Sequence, residues 1–119
     1  MSYIFEVADE TIWSPARRVG QLYVGYIESI ARTLKLPTGL TAVANDYFEI
    51  NLAQFKSLID TAANEYVTSS HTIFYQLLEP VLPVSIALIL RADPTWQVAN
   101  PGAQDLVNAA YPLSRDMPQ

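Results

Sequence analysis

The stretch Ser70–Arg91, SHTIFYQLLEPVLPVSIALILR, constrains the chain most. It is the longest apolar segment, and Val84–Leu90 at its far end has almost no polar face. A helix that is apolar all round has to be covered on most sides. Ser69 and Ser70 suit the cap of a helix start, where a side-chain oxygen satisfies a free backbone donor. Ile73, Phe74, Leu77, Leu78 and Val81 follow at helical spacing, with Gln76 and Glu79 opposite. Pro80 and Pro83 interrupt the pattern, because an interior proline removes a hydrogen bond and clashes with the preceding turn. The spacing therefore predicts a helix to about Glu79, a break, and a second helix from Pro83. A membrane span needs ~20 apolar residues with few breaks. Gln76, Glu79 and the two prolines favour a buried core helix instead, and no membrane contact is expected.

The other segments have to supply the cover. Tyr3–Val7 and Thr11–Trp13 are rich in aromatic and β-branched residues and read as two strands joined by a turn at Ala8-Asp9-Glu10. Ser14-Pro15 then reads as a helix start. Val19, Leu22, Tyr23, Tyr26, Ile27, Ile30 and Leu34 keep the helical period, with Arg17, Arg18, Gln21, Glu28 and Arg32 largely on the other side. Lys35 suits the C-terminal end, and Pro37 ends the helix. Gly20 and Gly25 each cost such a helix about 1 kcal/mol relative to alanine. Close packing against the sheet is the expected reason, and room for a ligand the alternative.

Residues 37–45 read as a connector and Asp46–Ile50 as a third strand. Asn51–Gln54 has the form of a capping box. Leu52, Phe55, Leu58, Ile59, Ala62 and Tyr66 mark a second amphipathic helix, ending near Thr68. The expected fold is α+β in the order ββαβαα, with a small antiparallel sheet packed on three helical segments. Residues 1–92 form the domain. Residues 93–119 read as an extended C-terminal arm with a short helix near Asn100–Ala110, anchored by Trp96 and Tyr111 and frayed over its last eight residues.

In that order, TIWSP, RVGQLYVG, LPTGLTAVANDYFEI and SSHTIFYQLLEPVL resemble an uncharacterised family of small bacterial proteins, over about residues 3–92. The resemblance implies a compact bacterial domain. It assigns no activity and no functional residue.

A chain of 119 residues, half of them hydrophobic, is one domain with room for a core. With no cysteine, it has no disulfide, thiolate metal site or cysteine nucleophile. A net charge of −5 argues against nucleic-acid binding, which depends on cations facing phosphate. The N-terminal MSYIFEVADE lacks a basic segment followed by an apolar run, so a cytoplasmic location is expected.

The sequence contains no nucleophile elbow, phosphate loop, paired-histidine zinc motif or calcium loop, and no cofactor or metal is expected. Charge is uneven: a basic first helix precedes an acidic middle. The leading expectation is a non-enzymatic protein-binding module, like an immunity or adaptor protein. It would present Asp46, Glu49, Asp60 and Glu65 to a basic partner. The alternative is a small cofactor-independent enzyme, an isomerase or cyclase, or a binding protein for an apolar metabolite. His71, Tyr75 and Glu79, four apart on one helix face, would then act together with Tyr26. A homo-oligomer is also expected, with the tail taking part, because the helices carry more apolar surface than three short strands can cover.

Overall fold

The computed structural model describes residues 2–119. Strands β1 (Ile4–Val7) and β2 (Glu10–Trp13) form a hairpin. Its tight turn holds Ala8 and Asp9 at positive φ, the conformation that matches the twist of paired strands. Helix α1 (Arg17–Leu34) follows, then a second hairpin of β3 (Leu40–Ala44) and β4 (Tyr47–Ile50). Helices α2 (Leu52–Thr68), α3 (Thr72–Leu78) and α4 (Leu82–Ala92) come next. A 3-10 turn (Pro101–Ala103) leads into α5 (Gln104–Ser114). The fold is α+β.

The sheet differs from the expected one in two ways. It has four strands, because β3 lies in the segment read as a connector. β3 is an edge strand with no buried side chain, so LTAVA shows none of the alternation that marks a half-buried strand. The sheet is also mixed. Its order is β2-β1-β4-β3, with β4 parallel to β1. The crossover through α1 brings the second hairpin back beside the first with β4 innermost.

On the inner face Phe5 stacks on Trp13 with ring centroids 5.2 Å apart, and Phe48 stacks on Phe5 at 5.7 Å. Tyr23 of α1 meets Phe5 and Trp13 edge-on at 5.9 and 5.2 Å, an arrangement aromatic quadrupoles favour. The outer face carries Glu6, Tyr47 and Glu49.

The apolar stretch divides as its prolines dictate, with α3 ending at Leu78 and α4 starting at Leu82 with Pro83 in its first turn. Ser69 and Ser70 do not cap α3; His71 stands at that position, and its N–H donates to the Ser69 hydroxyl at 3.1 Å. Asn51 caps α2 by accepting from the Gln54 N–H at 3.1 Å. Ser14 does not cap α1, whose capping position is Ala16.

Helix α4 packs on α2, α5 and β2, burying Leu82, Ile86, Ala87, Leu88 and Ile89. Ser85, the buried polar residue of the core, donates to the Val81 carbonyl at 2.9 Å and lies 2.6 Å from the Tyr23 hydroxyl. No buried side-chain polar atom is left without a partner among the described residues.

The C-terminal segment is not an extended arm. Leu106, Val107 and Ala110 of α5 are buried, and α5 packs along α4. Trp96 is half-buried, but Tyr111 is exposed; Met117 is the buried anchor instead. Arg91 fastens the end of the chain. Its guanidinium donates to the Ile12 carbonyl at 2.6 Å, to the Ser114 hydroxyl at 3.0 Å, and to the carbonyls of Ser114 and Met117. The Ser14 N–H donates to the Pro118 carbonyl at 2.6 Å, so these last residues are held both by α4 and by the residue that follows β2.

Just past α4, Asp93 accepts from Lys56 of α2 at 2.8 Å and from the Thr95 hydroxyl at 2.6 Å. Lys56 first, then Thr95, lower the Asp93 carboxyl pKa to about 2. A depressed folded-state pKa gives stability that is complete above the unfolded value and is lost as pH falls through the folded one. Asp93→Asn should therefore lower the denaturant midpoint at pH 7. The gap from wild type should close between about pH 4 and pH 2, as checked by urea unfolding at several pH values.

Candidate functional site: an apolar groove over the first and third helices

Folding leaves a conspicuous part of the apolar surface uncovered. Leu22 is 72% exposed, Ile73 66%, Leu77 59% and Val19 50%. All four lie on α1 and α3. They share the helical period of the buried residues on the same two helices. On α1 the buried set is Gly20, Tyr23, Val24, Ile27, Ile30 and Ala31, and Val19 and Leu22 lie beyond its edge. The apolar arc of α1 is thus wider than the single stripe that packing on one side requires. That width was the signal available in the sequence.

Between α1 and α3 lies a cavity of about 590 Å³. Leu22, Gly25, Tyr26 and Ser29 of α1 form one wall, and Phe74 and Leu77 of α3 the other. A second cavity of about 580 Å³ adjoins it, also lined by Leu22 and Tyr26. It continues along α1 past Val19 to Pro15 and ends against Leu113, Asp116 and Met117 of the C-terminal segment. Sharing Leu22 and Tyr26, the two run in series along α1 from Ala16 to Thr33, about 25 Å at helical rise, and form an apolar groove in two parts. The Tyr26 hydroxyl donates to the Leu77 carbonyl and so pins α3 to α1 across the groove. Arg91 contributes at a distance, by holding the segment that closes one end.

The two glycines of α1 separate here. A Cβ on Gly20 would lie 2.4–2.6 Å from Tyr3 ring and Cβ atoms, so Gly20 serves the close packing expected of it. A Cβ on Gly25 would meet nothing within 4 Å. The fold does not require glycine there, and the bare backbone lies in the groove.

Of the four residues expected to act together in an enzyme, only Tyr26 lines this groove. His71 is exposed at the start of α3. Tyr75 turns toward α2 and stacks on Tyr66 with centroids 4.3 Å apart and hydroxyls 2.9 Å apart. Glu79 is exposed; its charge, after burial and the Tyr75 hydrogen bond, helps push the Tyr66 phenol pKa up. The four do not converge on one cavity.

The acidic residues expected to form one face are spread over two layers. Asp46 is in the turn before β4, and Glu49 lies on the outer face of the sheet. The carboxylates of Glu6, Asp9 and Glu49 come within 4.8 Å of one another there. The Glu6 hydrogen bond, with burial and the neighbouring charges, raises the Tyr47 phenol pKa to about 12. Asp60, on α2, accepts from the Ala99 N–H at 2.9 Å, and Glu65 is half-buried on the same helix.

Fold and groove together define a small α+β domain whose outstanding surface feature is an open apolar channel between two helices. The chain belongs to DUF6086, a family of unknown function, whose sequence model matches residues 1–119 and so takes in the C-terminal segment as well. No curated protein and no solved structure matches the chain.

The glycine contrast is directly measurable. Gly25→Ala should raise stability by about 0.5–1 kcal/mol, since it improves helix propensity in open space. Gly20→Ala should lower it by about 1–3 kcal/mol through overpacking against Tyr3. Denaturant unfolding of the two variants checks both signs.

Proposed function

We propose that this protein is a non-enzymatic protein-binding module, adaptor-like in action, that works in a bacterial cytoplasm and docks its partner in the groove between α1 and α3. One observation carries the reading. Val19, Leu22, Leu77 and Leu113, four of the eight large hydrophobic residues left exposed among the described residues, line the two adjoining cavities along α1. Contiguous apolar surface of this kind marks interaction sites. The compartment rests on the absence of cysteine, which suits a reducing environment.

The acidic residues Asp46, Glu49, Asp60 and Glu65 take a secondary place in this reading. They stand on different elements, Asp46 and Glu49 on the second hairpin of the sheet and Asp60 and Glu65 on α2, and each adds to the negative field that favours solubility. An apolar small molecule is the competing occupant, since either cavity falls in the size range of ligand pockets. The groove's length and openness favour a protein.

Photo-cross-linking in the native host tests the reading. A benzophenone amino acid at Leu22 should give a discrete protein adduct of one identity, and the same probe at Val43, exposed on edge strand β3, should not. Equal patterns at the two sites, or no adduct at Leu22, would contradict the proposal. A small-molecule adduct at Leu22 alone would favour the apolar-ligand reading.

A further inference from the structure

The charges beside the groove narrow the partner further, on the premise that the groove is a docking site. On the helical wheel of α1, Arg18 and Arg32 stand on the crest that borders the groove. Arg18 precedes Leu22 by one turn, and the Arg32 guanidinium lies 3.4 Å from the hydroxyl of the groove residue Ser29. Both are exposed, and the ion pair found among the described residues, Lys56–Asp93, involves neither. Glu28, the acid of α1, projects farther from the groove than either arginine. Asp116 lies on the opposite wall, at the end near the start of α1.

We infer that the groove receives an amphipathic helix from another protein, about 17 residues long, with acidic residues along the edge that faces α1. Three observations support this occupant. The channel runs along one helix for about 25 Å, the length of such a segment. Its lining is mostly apolar, with Asp116 the charged residue on it, as the face of an amphipathic helix requires. The bare backbone at Gly25, midway between the arginines, lets a second helix approach closely.

A second copy of this chain fits less well. A twofold pairing of α1 helices centred on Gly25 places Arg18 of each copy opposite Arg32 of the other, because both lie seven residues from the centre. Like charges set opposite each other oppose association. Acids on a different protein turn the same two positions into attraction.

The inference can be tested with a displayed library of 18-residue helical peptides. The library fixes a leucine seam at i, i+3, i+4 and i+7 and randomises the flanking positions; it is selected on the full-length protein. Selection should enrich Asp and Glu along one flank. The winning peptides should bind an Arg18→Glu/Arg32→Glu variant about tenfold more weakly than wild type. Peptides with lysine in place of the acids should regain affinity for that variant, whose unchanged melting temperature confirms its fold. Enrichment of helices with neutral or basic flanks would overturn the inference while leaving the docking site standing. Peptides that bind a Leu22→Glu/Leu77→Glu variant as well as wild type would overturn both. A wild-type dimer that Leu22→Glu converts to a monomer would assign the groove to a second copy and overturn the inference as well.

Discussion

The structure depends on covering α4. Each large apolar side chain moved from water into a core contributes about 1.5–3 kcal/mol, and α4 carries such side chains on nearly every face. No single neighbour can cover it. Helix α2 takes one side and α5 another, while β2 abuts its end and Tyr23 of α1 reaches Ser85. Arg91 then draws the cover closed, because one guanidinium binds a β2 carbonyl, the carbonyl of the last residue of α5 and one beyond it at once. Its planar fork of donors suits such multiple contacts, which the single ammonium of lysine cannot reproduce.

Much of this could be read from the residues. The two prolines located the break between α3 and α4, and the periodicity of Leu52–Tyr66 gave α2 with its Asn51 cap. The β1–β2 hairpin followed from aromatic alternation. β3 could not be read, because an exposed edge strand of Leu, Thr, Ala, Val and Ala has no burial pattern to display. The parallel pairing of β1 and β4 depends on a crossover that no local signal encodes. The C-terminal helix was underestimated because Pro112 and weak periodicity obscured it, and because its partner, Arg91, is distant in sequence. Docking of this segment on its own α4 also removes much of the surface that had suggested association through the tail.

The groove was legible only in part. The excess of apolar helix surface was legible, but its place was not, since periodicity alone does not say which apolar positions find a neighbour. With α1 packed on the sheet through Tyr23, Val24 and Ile27, the remaining width of its apolar arc has nothing to cover it among the described residues. Helix α3 adds Phe74 and Leu77 alongside, and its buried residue, Leu78, reaches the same cavity from the core. The rim of the site, Val19, Leu22 and Leu77, thus consists of apolar side chains that the core does not use, while its floor is shared with the core through Ile30, Tyr23 and Leu78. Tyr26 bridges the two roles, with its ring in the groove and its hydroxyl fixing α3.

That separation between folding and docking residues is the central claim, and the stability of a Leu22→Ser/Leu77→Ser variant tests it most directly. Both side chains are more than half exposed, so urea unfolding should place the variant within about 0.5 kcal/mol of wild type, as for ordinary surface substitutions. A loss of about 3 kcal/mol or more, the cost of emptying a core position, would contradict the account, because it would show that these side chains hold the fold together rather than await a partner.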